Sequence, residues 1–390
     1  MSLAFSAPTA APISATERQQ RIETLTRRMV AYGVSAVLLG ASESLRYFTG
    51  LVWSPSERFS GALIHDDGTV DIVCPRFEQE KFEQMLAEEG CLGGDIFTWE
   101  EEHDPHAVIA ARLSPNAKLA VDDQLAAFTL FGLTRTLGHE RIISGGSMIT
   151  ALRSIKSPAE IAILQRAKTI TLEVQKRARA QLYKGTRASE VVAFIDAEHR
   201  KLAGHGSYFC IVSFGVDTSL PHGGSGDPAL QSGDVVLIDT GTEIDGYHSD
   251  ITRTYAFGDP TPSFARVWQD EKDAQLAAFN AARLGAPCES VDAAARDLLT
   301  ARGYGPDYQL PGLPHRTGHG IGLDIHESPN LVRGDRTPLQ AGMCFSNEPM
   351  IVIPGQFGVR LEDHFYMTED GPRWFTPPAF SLEQPFGETA

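Results

Sequence analysis

Two aspartates, Asp239 and Asp250, sit inside the stretch "VVLIDTGTEIDGYHSDITRTYAFG", which runs from Val235 to Gly258. Each interrupts a run that otherwise reads as hydrophobic β-strand, and between them lies "EIDG", a turn signal. A two-residue loop at Ile244-Asp245 sets Asp239 opposite Asp250, with Cβ atoms ~5 Å apart on one face. A bulge at Gly246 would shift that register by one. Two like charges facing each other are destabilising, and a desolvated pair cannot both stay ionised without compensation. A bound divalent cation supplies the compensation. An exposed hairpin with two solvated aspartates is the competing reading.

Further residues of the same chemistry follow. "PHRTGHGIGLDIHESP" holds His315, His319 and His326, and glycines at 318, 320 and 322 leave little bulk around His319, as a close approach of backbone to a ligand requires. A structural imidazole is the alternative for any one of them. "GMCFSNEPMIVIPGQFGVRLEDHF" adds Glu348 and Glu362, each inside an apolar run where an unpaired carboxylate is costly. Arg360 lies two residues before Glu362 and so on the same strand face, which leaves a structural Arg–Glu ion pair open. His222 stands in "VDTSLPHGGSGD", between a proline and two glycines.

The elements that must position these residues can be read along the chain. "TERQQRIETLTRRMVAYG" is an amphipathic helix closed by Gly33, "VSAVLLG" a short buried strand, and "SGALIHDDGTVDIVCP" a hairpin around Asp66-Asp67-Gly68. Strands then alternate with helices to about residue 150, as in an α/β layered domain. Ser157, Pro158 and Glu160 form a capping box that opens a long helix. From Tyr208 onward strands dominate, with helices near 263–284 and 289–302, giving an α+β second domain. The expected organisation is a disordered leader over 1–16, an N-terminal α/β domain over 17–152 and an α+β domain over 153–390.

Composition narrows the function classes. With 390 residues the chain is long enough for two domains. Its formal net charge of −16 disfavours nucleic acid and anionic membrane as partners. No apolar run reaches the roughly 20 residues of a spanning helix. Five scattered cysteines without a C-x-x-C pair suit a reducing compartment, so the cytoplasm is the expected location.

The set "PHGG", "DTGTEIDGYHSDITRT", "HRTGHGIGLDIHE", "EPM" and "GVRLED", in this order over roughly 215–371, resembles the metal-dependent pita-bread peptidases of the M24 metallopeptidase family. These include methionine aminopeptidase, aminopeptidase P and prolidase. The resemblance implies a pita-bread (creatinase/aminopeptidase-like) catalytic domain preceded by a smaller creatinase-like α/β domain. It implies five metal ligands: Asp239, Asp250, His319, Glu348 and Glu362. Asp250 and Glu362 would bridge two divalent ions, Asp239 would hold one, and His319 with Glu348 the other. Mn²⁺ is expected, with Co²⁺ and Zn²⁺ as alternatives.

The implied reaction is hydrolysis of Xaa-Pro dipeptides by a metal-bridging water or hydroxide, with Glu348 as proton shuttle. His222, His315, His326 and Arg360 would contact substrate, with His222 and His326 as donors to the tetrahedral intermediate. The interval of 14 residues from Glu348 to Glu362 resembles prolidase more than aminopeptidase P, whose corresponding loop is longer. Creatinase lacks the metal ligands, and methionine aminopeptidase usually lacks so long a preceding domain. A Xaa-Pro aminopeptidase, a metal-dependent hydrolase of a non-peptide amide or amidine, and a binding protein that keeps the fold are the remaining readings. Prolidase-like enzymes imply a homodimer whose N-terminal domain closes the partner's site; "RYFTGLVWSPSERF", with Tyr47, Phe48 and Trp53, is the expected lining loop. Two positions depart from the family. Met350 replaces a usual glycine and is expected to narrow the pocket. Ser346 replaces threonine and keeps the hydroxyl.

Overall fold

The first helix, α1 (Ala15–Tyr32), begins where the Ser14 hydroxyl accepts a hydrogen bond from the Glu17 N–H, and it ends at Gly33, whose φ of 65° closes a left-handed cap. Residues 15 and 16 of the leader expected over 1–16 thus lie inside α1. Ile13 is buried, and its carbonyl accepts a bond from Arg18 at 2.6 Å. The computed structural model describes residues 5–387; residues 1–4 of that leader lie outside them. The described residues form two compact units, one of Pro12–Arg153 and one of 5–11 together with 154–387.

In the first unit the chain runs β1 (Ala36–Leu39), α2 (Glu43–Thr49), β2 (Gly61–His65), β3 (Val70–Pro75), α3 (Gln79–Leu86) and β4 (Ile96–Trp99). It continues as α4 (Pro105–Ala111), β5 (Leu119–Val121), α5 (Ala127–Leu137), β6 (Ile142–Ser144) and α6 (Gly146–Arg153). The sheet order is β4-β3-β2-β1-β5-β6, with antiparallel pairing only among β1, β2 and β3. Helices alternating with the strands of this mixed sheet match the α/β expectation. Tyr47 and Phe48, expected to line a pocket, are buried edge to face in this unit, and Trp53 stacks on Phe82 at 4.5 Å. Tyr47 and Phe48 spend their apolar surface on packing, while Trp53 is half-buried.

The second unit opens with α7 (Pro158–Ala180) and α8 (Ala188–Ala203). The Ser157 hydroxyl caps α7 while the Glu160 carboxylate accepts from the Ser157 N–H, as the capping box requires. Strands β7 (Phe209–Phe214), β8 (Val235–Gly241), β9 (Glu243–Ile244), β10 (Tyr247–His248) and β11 (Ile251–Ala256) follow, then α9 (Pro262–Ala281) and α10 (Cys288–Ala301). Seven strands complete it: β12 (Gly318–Gly320), β13 (Glu327–Leu331), β14 (Cys344–Asn347), β15 (Met350–Ile353), β16 (Phe357–Arg360), β17 (Asp363–Thr368) and β18 (Gly371–Trp374).

Two antiparallel sheets, β11-β8-β7 and β13-β12-β14-β17-β18, carry the residues of interest. On one side α9 and α10 bury Phe264, Trp268, Val291 and Leu299 with Leu237, Phe345 and Phe365. Towards β8 and β11, α7 contributes polar straps. The Gln175 amide donates to the carbonyls of Ile251 at 2.5 Å and Ile238 at 3.3 Å, and the buried Lys168 ammonium donates to the His248 carbonyl at 3.0 Å. The hairpin floor is thus tied to α7 through main-chain acceptors.

Candidate metal centre

The hairpin turns one residue later than expected. Ile244 pairs with Tyr247, so the two-residue loop is Asp245-Gly246, with φ of 48° and 79°. Asp and Gly are a residue pair that tolerates positive φ at both central positions of a type I′ turn. Asp239 consequently faces Thr252 rather than Asp250. The register moves by two, not one, so the aspartates stay on one face as diagonal neighbours. Ligand atoms of Asp239, Asp250 and Glu362 lie within 4.8 Å of one another.

His319 comes from the short strand β12. Its main-chain N–H donates to the Ser346 hydroxyl at 2.9 Å, and its Nδ1 lies 2.9 Å from the Gly320 carbonyl. That contact makes Nδ1 the protonated nitrogen and leaves Nε2 to face the acids, 3.1 Å from Glu348 Oε1 and 3.9 Å from Asp250 Oδ2. The glycines beside it serve neighbouring strands rather than a ligand. A Cβ on Gly318 would lie 2.1 Å from the Ser346 carbonyl oxygen, and one on Gly320 2.7 Å from that of Glu327.

Glu348 joins β14 to β15, and Glu362 joins β16 to β17. Glu362 Oε2 accepts from the Thr252 hydroxyl at 2.8 Å, and Ser346 donates to Glu348 Oε1 at 3.1 Å. Three groups of potential ligands result: Asp239–Asp250–Glu362, His319–Glu348–Glu362 and Asp250–His319–His326. Asp250, His319 and Glu362 each belong to two of them. Asp239 Oδ1 and Glu362 Oε1 are buried without a hydrogen-bond partner. Buried polar atoms are rarely left so, and these converge. Carboxylate oxygens plus one imidazole form a donor set that suits divalent ions.

Electrostatics say the same. Burial, and after it the carboxylates of Glu362, Asp239 and Glu348, raise the pKa of Asp250 well above its usual value. Burial and then Glu348 and Asp239 do so for Glu362. Burial also works to raise Glu348, but the bond to His319 and the charges of His319, His315 and Arg360 outweigh it, and its pKa falls.

Arg360 departs from the expected pairing with Glu362. Its guanidinium pairs with Asp239, not Glu362. Nε donates to the Thr252 hydroxyl at 3.0 Å and one terminal nitrogen to the Pro221 carbonyl at 3.1 Å. Each of the three nitrogens makes a bond and the side chain is 3% exposed, so it holds Asp239 and the loop before His222. Met350 does not line a pocket either. It is fully buried in the hydrophobic cluster with Leu237 and Phe264. His326 is exposed and sets its ring edge to face 4.2 Å from His319. His222 is exposed, within electrostatic reach of His326. His315 is half-buried, with Nδ1 on the Arg316 carbonyl at 2.8 Å and Nε2 unpartnered, and burial lowers its pKa. Thr252 and Thr254, within the "DITRT" end of the hairpin motif, also belong to the site although neither was singled out as a ligand. Thr254 Oγ1 brackets the Arg360 main chain, donating to its carbonyl at 2.7 Å and accepting from its N–H at 3.1 Å. Their spacing of two from Asp250 was the available signal.

Comparison with known proteins agrees with this geometry. Residues 162–369 match the model of metallopeptidase family M24, and residues 21–155 that of the Creatinase/Prolidase N-terminal domain. A probable dipeptidase PepE of Mycobacterium tuberculosis is 37% identical over 343 residues, 87% of this chain and 89% of the relative. The Xaa-Pro dipeptidase of Lactobacillus helveticus is 35% identical, over 85% of this chain and 90% of the relative. The crystal structure of dipeptidase PepE from Mycobacterium ulcerans superposes with a TM-score of 0.87 at 33% identity, covering 95% of this chain and 99% of that one. The chain is an enzyme of metallopeptidase family M24, a pita-bread catalytic domain behind a creatinase/prolidase N-terminal domain.

Proposed function

We propose that this enzyme hydrolyses Xaa-Pro dipeptides with two divalent metal ions held by Asp239, Asp250, His319, Glu348 and Glu362. The observation that carries the two-ion reading is that the Asp239–Asp250–Glu362 group shares Glu362 with the His319–Glu348–Glu362 group and Asp250 with the Asp250–His319–His326 group, so two adjacent sets of ligands meet at these two carboxylates. The dipeptide reading rests on the relatives named for that activity. It rests also on the short β15–β16 hairpin, only three residues at its tip, between Glu348 and Glu362. When bound, the ions supply a water nucleophile at neutral pH and polarise the scissile carbonyl.

The chain's own groups do the rest. Ser346 fixes Glu348 Oε1, so Oε2 is the oxygen that accepts the proton of the attacking water and returns it to the leaving proline nitrogen. His326 and His222 stand at the exposed rim, where their ring N–H groups donate to the substrate carbonyl and the tetrahedral oxyanion. His315 Nε2 is the buried group available to a substrate terminus. Arg360 keeps Asp239 oriented. A Xaa-Pro bond has no N–H and a fixed φ, so a dedicated site replaces the extended pose of general peptidases. We assign Mn²⁺ as the native metal, a homodimer as the working form, and the cytoplasm as the location, the last on five unpaired cysteines.

The purified enzyme is expected to release proline from Ala-Pro, to stop with chelator, and to recover with Mn²⁺. A preference for Ala-Pro-Ala over Ala-Pro would make it an aminopeptidase instead. Glu348→Gln is expected to lower kcat about 100- to 10,000-fold. Near-normal turnover in that variant refutes the shuttle.

A pH dependence follows from the raised pKa values of Asp250 and Glu362. Folding favours their protonated forms, so the metal-free fold loses stability as pH rises from the ordinary carboxylate range through the raised values. Glu348, with its lowered pKa, contributes stability that is lost only below the ordinary range. The rise in Tm on adding Mn²⁺ is therefore expected to be larger at about pH 8 than at about pH 5.5. An equal or smaller rise at the higher pH contradicts the assignment.

A further inference from the structure

Arg253 lies on β11 between two residues of the site, and its side chain points to the opposite face from Thr252 and Thr254. It is fully buried. The guanidinium reaches five groups. One terminal nitrogen donates to the main-chain carbonyls of Glu362 at 2.8 Å and Thr252 at 3.0 Å. The other donates to Asp363 Oδ1 at 2.6 Å and, more loosely, to the Pro377 carbonyl at 3.4 Å. Nε donates to the Pro385 carbonyl at 2.6 Å.

Two of these acceptors belong to the backbone of the site. Thr252 follows Asp250 by two residues, and Glu362 is itself one of the shared acids. The Glu362 N–H also donates to the Thr252 carbonyl at 3.0 Å, so Arg253 seals the point where β11 meets the β16–β17 connection. Asp363, the carboxylate that balances Arg253, is fully buried. Its second oxygen accepts from the Gln275 amide at 3.1 Å, and that amide also donates to the Leu361 carbonyl at 2.8 Å. The backbone on either side of Glu362 is held from behind.

The remaining anchor is distant in sequence. Pro385 and Gly387 are buried, Phe386 sets its ring against Tyr255 at 6.3 Å, and Ala379 has no exposed surface. The main chain turns between, with the Phe380 N–H on the Gln384 carbonyl at 3.0 Å. A buried guanidinium is costly unless every donor finds an acceptor, and one carboxylate cannot fill its fork. Pro385 supplies the acceptor for Nε. Its carbonyl thereby fixes the plane of the guanidinium, which in turn fixes the carbonyls of Thr252 and Glu362.

We propose that residues 385–387 and Arg253 form a clasp that sets the separation of Asp250 and Glu362, making Arg253 a positioning residue for the metal centre. This rests on the two-ion reading of the site. Groups that orient metal ligands from behind typically change affinity by about 10- to 100-fold when lost.

The test is calorimetric titration of Mn²⁺ into the metal-free full chain and into a variant ending at Gln384, both checked for folding by circular dichroism. Two ions bound by the full chain, with about tenfold or greater weakening of at least one in the variant, support the clasp. In that case excess Mn²⁺ restores kcat with KM for Ala-Pro unchanged, which a general loss of structure does not allow. Equal affinities and stoichiometries overturn the clasp while leaving the site reading intact. No binding by the full chain overturns the site reading and the clasp with it. Should the shortened chain fail to fold, Arg253→Lys in the full chain decides: it keeps the charge but loses the fork, so weakened Mn²⁺ binding supports the clasp and wild-type binding refutes it.

Discussion

Four carboxylates, Asp239, Asp250, Glu348 and Glu362, converge in a space from which water is largely excluded, with His319 and Arg360 as their nearest positive or polarisable neighbours. Burying one unpaired carboxylate is already unfavourable, and each added acid raises the cost through repulsion. One guanidinium and one imidazole do not neutralise four acids. The protein's answer has two parts: burial and mutual repulsion raise the pKa of Asp250 and Glu362, and divalent cations offset the charge when they bind. Both depend on a scaffold that keeps like charges together.

That scaffold is main-chain bonding more than packing. Gln175 holds the carbonyls of Ile238 and Ile251 from α7, Arg253 those of Thr252 and Glu362 from the other direction, and Thr254 brackets the Arg360 backbone. Side chains pointing away from the site thus do as much to place the ligands as those beside them. Fixing the backbone on both faces lets the acid oxygens remain unpartnered and available, as Asp239 Oδ1 and Glu362 Oε1 are.

Much of this was legible in the sequence because it depends on local chemistry. The capping box of Ser157 and Glu160, the left-handed stop at Gly33 and the alternation of acids and threonines along "DITRT" follow from spacing alone. The hairpin turns one position later than its sequence suggests, since the choice between Ile244-Asp245 and Asp245-Gly246 hinges on which pair adopts positive φ. The face is unchanged because the register shift is even. Contacts between distant strands were not legible. Strand periodicity placed Arg360 on the face of Glu362 but could not show that Asp239 would be its partner. Nor could it show that Met350 enters the core, or that Gly318 and Gly320 lie against neighbouring backbone. The bond from Arg253 to Pro385 spans 132 positions and leaves no mark in either segment.

The central claim is that these acids and His319 enclose two ions rather than one or none. Crystals of the enzyme grown with Mn²⁺ and measured for anomalous scattering at the manganese edge test it most directly. Two peaks between Asp239, Asp250, His319, Glu348 and Glu362, with Asp250 and Glu362 touching both, are the predicted result. A single peak, or none among these side chains in an otherwise active crystal, would contradict it.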